Sequence, residues 1–319
     1  MTASPRTGDP RTGDLRIGLV GYGKIARDQH LPAIAGTPGV KLVAVASPNS
    51  RAPDVANYPD VEAMLAGEPE LDAVAMCQPP QARYQAARAA LAAGKHVFLE
   101  KPPGATISEV EALIAQAEAQ GVTLFASWHS RYAAAVAAAR AWLDGRVLHK
   151  ATITWKEDVR HWHPGQAWIW QAGGFGVFDP GINALSILTG ILRDPVLLSR
   201  ADLEVPSNRQ APIAASLSLH STGGTPIEAV FDFRQTGPQS WDIAVEAADG
   251  RLLLSDGGNS LAIDGAAQAT SPEGEYPAMY RHFVELVRSG RSDVDLAPLR
   301  LVADAFLCGR FHSVEPFED

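Results

Sequence analysis

Four of the seven tryptophans of this 319-residue chain lie within residues 155–170, among Glu157, His161 and His163, and Asp179 and Asn183 follow soon after. Aromatic planes mixed with acids, imidazoles and an amide suit a polyhydroxylated ligand. The planes accept its C–H faces and the polar groups its hydroxyls. A segment built for packing alone has no need of so many titratable groups among its rings. At least one of Trp162, Trp168 and Trp170 is nevertheless expected to be packing. Asp179 precedes Pro180, the arrangement of a helix N-cap, and a capping carboxylate can also do chemistry. Asn183, one helical turn further on, then faces the same side.

The elements that must position these groups begin with an apolar strand, Leu15–Val20, that leads directly into Gly21-Tyr22-Gly23-Lys24-Ile25-Ala26 and a helix to about Ala35. This is G-x-G-x-x-A in strand–turn–helix context. The first glycine makes the turn, the second lets backbone approach a pyrophosphate, and the alanine allows close helix–strand packing. Strands follow at 41–46, 72–77, 96–100 and 122–127, and helices at 59–66, 81–93 and 107–120. That alternation predicts a doubly wound parallel sheet, a Rossmann domain that binds a dinucleotide. An acid at the end of the second strand would hold a ribose 2′-hydroxyl and repel a 2′-phosphate. This chain has Ser47, Asn49 and Arg51 there, so NADP is expected to serve at least as well as NAD. The fourth strand ends in Glu100-Lys101-Pro102, which places the Lys101 ammonium where ligands of such sheets bind. The expected cofactor residues are Gly21, Tyr22, Gly23, Lys24, Ile25, Ser47, Asn49, Arg51, Gln78, Glu100 and Lys101.

Beyond an Ala-rich helix from Tyr132 to near Gly145, the pattern changes to period two. Ile213, Ala215, Leu217 and Leu219 form one apolar row, Ile227 to Phe233 another, and Trp241 to Ala247 a third. Gly-containing turns join them, as in antiparallel strands with one buried face. Helices at about 276–289 and 297–309 close the chain. The expected organisation is a disordered lead-in (1–14), a dinucleotide-binding domain (15–128) and an α/β substrate domain with an open sheet (129–319). Net charge is −9 without a basic run, so a nucleic-acid partner is not expected. No apolar run approaches the roughly 18 residues of a membrane span. The N-terminus has no signal-peptide core. Cys77 and Cys308 lack metal spacing and fit a reducing cytoplasm. His161 and His163 with Glu157 and Asp179 include zinc-type donors. Neither cysteine is near them, and no metal is expected.

Glu100-Lys101-Pro102, about 80 residues after Gly21-Tyr22-Gly23, resembles the pairing found in the glucose–fructose oxidoreductase, inositol dehydrogenase and rhizopine-catabolism family. Residues 126–131, 155–166 and 178–183 are similar to the D-galactose and L-arabinose 1-dehydrogenases within it. The resemblance implies a Rossmann domain followed by a large, open, mainly antiparallel sheet, and a dimer or tetramer. It implies NAD(P)-dependent oxidation of an aldopyranose (D-galactose, L-arabinose or both) at its anomeric carbon to the aldonolactone. Lys101, Asp179 and Asn183 would lie at the reacting end. Glu157, His163 and His129 would hold ring hydroxyls, and Trp241 would stack on the sugar with Trp162 beside it. Many family members carry histidine where this chain has Asn183, so any base here rests on Asp179, Lys101 or a water between them. The alternatives are an inositol or dihydrodiol dehydrogenase, or a non-catalytic dinucleotide-binding regulator of a sugar pathway.

Overall fold

The computed structural model describes residues 13–271 and 273–318; most of the expected lead-in, residues 1–12, lies outside the described residues. The chain divides into two compact units. In the first, β1 (Leu15–Val20), β2 (Val40–Ala46), β3 (Ala56–Tyr58), β4 (Ala73–Met76), β5 (His96–Glu100) and β6 (Leu124–Ser127) form one parallel sheet. The strand order is β3-β2-β1-β4-β5-β6, with the reversal between β1 and β4. β4 is buried at every position, and β1 at all but one, as expected of parallel strands covered on both faces. The helices are α1 (Leu31–Gly36), α2 (Val61–Gly67), α3 (Arg83–Ala92) and α4 (Ile107–Gln120). Val74, Met76, Leu91, Leu99 and Leu113 lie in the shared core. One departure from the sequence reading is the π-helical turn (Ala26–His30) that precedes α1 and brings His30 to a fully buried position.

Gly21 shows why the first turn is made of glycine. Its φ is +92°, and a Cβ there would lie 2.8 Å from the backbone nitrogen of Gln78. A Cβ on Gly23 would meet nothing within 4 Å, so the second glycine opens onto free space.

The second unit contains α5 (Val136–Leu143), β7 (Leu148–Lys156), α6 (Val159–Trp162), α7 (Phe178–Ile191), β8 (Val196–Pro206), β9 (Ala214–Ser221), β10 (Pro226–Asp232), β11 (Ser240–Ala247), β12 (Gly250–Ser255), β13 (Ser260–Ile263) and β14 (Ala266–Ala267). The chain continues through α8 (Glu275–Ser289), α9 (Ala297–Cys308) and β15 (Arg310–Val314). The nine-stranded sheet has the order β14-β13-β12-β11-β7-β10-β9-β8-β15. It is mainly antiparallel, but β10 pairs with β7, and β15 with β8, in parallel. The terminal strand β15 has no apolar alternation, because it is an exposed edge, and it was not expected from the sequence.

The period-two reading holds along β10. Ile227, Ala229 and Phe231 are buried, while Pro226, Glu228 and Val230 point outward. α7 covers the inner face and is apolar almost all round, as a helix packed on several sides must be. Helix α8 belongs to the first unit from Tyr276, where Tyr280 and Phe283 pack on Phe98. That unit is therefore discontinuous in sequence. Among the described residues no helix is long and apolar enough to cross a membrane.

Gly21→Ala should cost about 1–3 kcal/mol in denaturant unfolding, because a side chain at positive φ strains the turn as well as meeting Gln78. Unchanged stability would show that the turn relaxes freely.

Candidate active site

In the second unit Glu157 and Asp179 meet at His163, and Trp241 joins them through Glu157. Glu157 follows β7 directly, and its amide donates to the Asp232 carbonyl at 3.0 Å. Asp158 then caps α6 by accepting from the Arg160 amide. This one-turn helix leads to His163, whose amide donates to Val159 O at 2.8 Å. The imidazole packs 5.6 Å from the Phe233 ring. Its Nε2 lies 2.9 Å from Glu157 Oε1, and its Nδ1 lies 3.6 Å from Asp179 Oδ2. The Trp241 indole donates to Glu157 Oε2 at 2.9 Å. Trp241, His163, Glu157 and Asp179 thus form one connected group. Glu157 and Asp179 are each only 4 % exposed.

Asp179 is not the N-cap that the following proline indicated. α7 starts two residues earlier than that proline indicated, Val177 holds the cap position, and Asp179 lies in the first turn. The local pattern missed the helix start by two residues. Packing decided it, because Phe178 is fully buried among Phe231 and Phe306. Asn183 is half-buried one turn further along α7.

The tryptophans separate by role. Trp155 and Trp170 are core residues. Trp162 is 40 % exposed, lies edge-on to Trp241 at 4.9 Å and donates to Gln239 Oε1. His129 has a different setting, with Nδ1 at 2.5 Å from Glu275 Oε2. Among the described residues no group of three or more His, Cys, Asp or Glu is arranged to hold a metal ion.

In the first unit, Tyr22 is buried, Ile25 is half-buried and Lys24 is exposed, paired with Asp28 at 2.5 Å. Ser47 is half-buried at the end of β2, while Asn49 and Arg51 are exposed beyond it. Gln78 lies just past β4, and its Oε1 is buried without a hydrogen-bond partner. The turn at Gly21, the open space at Gly23 and this unsatisfied acceptor all lie at the carboxyl ends of β1 and β4, the switch point of the sheet. They fit a dinucleotide there.

Lys101 follows β5 through a cis bond to Pro102. Its amide donates to Glu100 Oε2 at 2.5 Å, and Tyr276 donates to Glu100 Oε1 at 2.7 Å. His30 Nε2 is 3.2 Å from that same oxygen, and its Nδ1 is 2.6 Å from the Tyr280 hydroxyl. Burial works against charge on His30, yet Cys77 and Glu100 outweigh it and push its pKa up to about 10. Arg83, buried at the start of α3, donates to the carbonyls of Gln78, Glu100 and Pro102. None of Arg83, His30, Tyr276 and Tyr280 was singled out from the sequence. Arg83 stands in an Ala-rich helix that reads as solvent-facing, and the tyrosines arrive from a helix far along the chain.

Residues 15–127 match the oxidoreductase family with an NAD-binding Rossmann fold. A galactose 1-dehydrogenase of Pseudomonas fluorescens is 50% identical over 301 residues, covering 94% of this chain and 98% of that protein. The chain belongs to the glucose–fructose oxidoreductase, inositol dehydrogenase and rhizopine-catabolism family. The crystal structure of a D-galactose-1-dehydrogenase protein from Rhizobium etli is 57% identical, covers 96% of this chain and 99% of that one, and superposes with a TM-score of 0.93. A 3-ketoreductase from Actinomadura kijaniata, solved with NADP, shares the fold at 20% identity and a TM-score of 0.81 over 96% of this chain and all of that one. As a member of this oxidoreductase family the chain uses an NAD(P) cofactor, bound by its Rossmann domain.

Two tests address the support beneath Lys101. Arg83→Met keeps the aliphatic bulk but strands buried carbonyls, and should cost about 3 kcal/mol in denaturant unfolding. The raised pKa of His30 means that its contribution to stability is complete below about pH 6.5 and is lost as pH rises through about 10. The melting temperature should therefore fall more between those values in the wild type than in His30→Gln.

Proposed function

We propose that this chain is an aldose 1-dehydrogenase acting on D-galactose, with L-arabinose as a second substrate. The observation that carries this reading is the line of buried Asp179, half-buried His163 and buried Glu157 beside the Trp241 and Trp162 rings. It occurs in a chain half identical, along nearly its whole length, to a galactose 1-dehydrogenase. The residues supply what a pyranose needs, with carboxylates and an imidazole for hydroxyls and indole faces for C–H groups. D-Galactose and L-arabinose share configuration at C2 to C4 and differ in the C5 hydroxymethyl, so a pocket that reads C2 to C4 accepts both. D-Glucose, epimeric at C4, would leave a buried polar group unpaired.

In this reading the anomeric hydroxyl gives its proton to Asp179, directly or through water, while C1 releases hydride and becomes the lactone carbonyl. A bound NAD(P) supplies the hydride acceptor. Lys101 stabilises negative charge developing on O1. Asn183 orients O1 or O2, His129 and Glu157 serve further hydroxyls with His163 beside them, and Trp241 and Trp162 wall the ring. Gly21 to Ile25, Gln78 and Glu100 shape the dinucleotide site. Ser47, Asn49 and Arg51, with no acid at the end of β2, favour NADP at least as much as NAD. We place the enzyme in the cytoplasm as a homo-oligomer.

Absorbance growth at 340 nm with a panel of aldoses and both cofactors tests the reading. D-Galactose and L-arabinose should turn over, D-glucose poorly, and NADP at least as well as NAD. No signal with any sugar would favour a regulator. Lys101→Ala and Asp179→Ala should each lower kcat by at least about tenfold; near-normal kcat would remove that residue from the mechanism.

A further inference from the structure

His163 is placed to do more than hold a sugar hydroxyl. Its ring is fixed on two sides by carboxylates, and its two nitrogens differ in state. Nε2 is 2.9 Å from Glu157 Oε1. Ionised Glu157 can only accept, so Nε2 carries the hydrogen and Nδ1 is left with a lone pair. Nδ1 is buried and has no hydrogen-bond partner, while Asp179 Oδ2 faces it from 3.6 Å. Two acceptors facing each other in a buried site are unfavourable until one proton lies between them. Glu157 is itself held by the Trp241 indole, so the ring cannot readily turn to exchange its nitrogens. Glu157 after β7 and Asp179 on α7 place carboxylates within 4 Å of the imidazole, and the loop after β10 places the Phe233 ring against it.

We infer that His163 is a positioning residue for the base. It takes the proton that Asp179 receives from the anomeric hydroxyl, and Glu157 fixes the tautomer that makes this possible. This inference rests on the aldose dehydrogenase reading. The O1–H bond breaks, its proton passes to an Asp179 carboxylate oxygen and on to His163 Nδ1, its electron pair forms the C1=O1 bond, and the electron pair of the C1–H bond leaves as hydride to the acceptor that a bound NAD(P) would supply. The imidazolium that results lies between two carboxylates, which favour its charge. After product leaves, Nδ1 hands the proton back to Asp179, and from there it passes to water that enters the emptied sugar site. This chain has an amide at position 183, one turn after Asp179, and the imidazole that assists the carboxylate comes instead from the loop after α6. A base assisted in this way works closer to neutral pH than a lone carboxylate.

The test is the pH profile of kcat/KM, with kcat and KM resolved, on a sugar and cofactor that the wild type turns over. His163→Gln should lower kcat at least about tenfold, change KM for the sugar less than about threefold, and move the acid limb at least about one pH unit downward, towards that of a lone carboxylate. Glu157→Gln keeps the shape of the site and should also move the acid limb down, because the imidazolium loses a charged partner. If His163→Gln does not fold, as judged by its circular dichroism melt, Glu157→Gln decides the matter. A raised KM with kcat and the acid limb unchanged would overturn the relay and leave His163 as a hydroxyl reader. A wild type inactive on every sugar would overturn the proposed function, and the relay with it.

Discussion

A buried charge must be matched by partners at fixed distances, and this constraint organises both functional regions of the protein. In the first unit it acts through Arg83. A guanidinium in the interior must find acceptors. Here it finds the carbonyls of Gln78, Glu100 and Pro102, at the ends of β4 and β5. Those carbonyls bracket the residues that the parallel sheet presents at its carboxyl edge. The side chain of Glu100 is held in turn by the Lys101 amide and Tyr276. Lys101 therefore stands on a backbone tied down on both sides.

In the second unit apolar packing sets the distances at which the buried carboxylates meet their partners. α7 is buried on nearly every side, and a Cβ on its Gly181 would come within 2.9 Å of the Phe231 ring. The helix is thus held close against β10. Asp179 in its first turn has little freedom, and Glu157, at the end of the neighbouring strand β7, is fixed by Trp241 and His163. Catalytic geometry of this kind depends on rigid elements beneath the reacting groups.

Much of this was legible in the chain. The glycine turn followed by an alanine, the apolar parallel strands and the period-two rows of β9, β10 and β11 come from short-range rules, and each element appears where those rules put it. What was not legible is where non-local packing outweighs a local signal. The helix after the glycine turn opens as a π turn, which sends His30 inward. Asp179 missed its expected capping role because burial of Phe178 moved the helix start. β15 carries no strand pattern because it lies at an edge and is mostly exposed.

Spacing along the chain settled which residue types were available for chemistry, and in which elements. It determined a lysine at the end of a parallel strand, an acid and an amide one turn apart, and imidazoles and indoles in one stretch. These follow from spacing along the chain, which local periodicity reports faithfully. Which of them meet was settled by long-range packing. It placed His163 between Glu157 and Asp179, brought Trp241 from 84 residues away to the same carboxylate, and set tyrosines of α8 beneath Glu100. Such meetings depend on strand order and helix packing, and residues far apart in the chain carry no local sign of them.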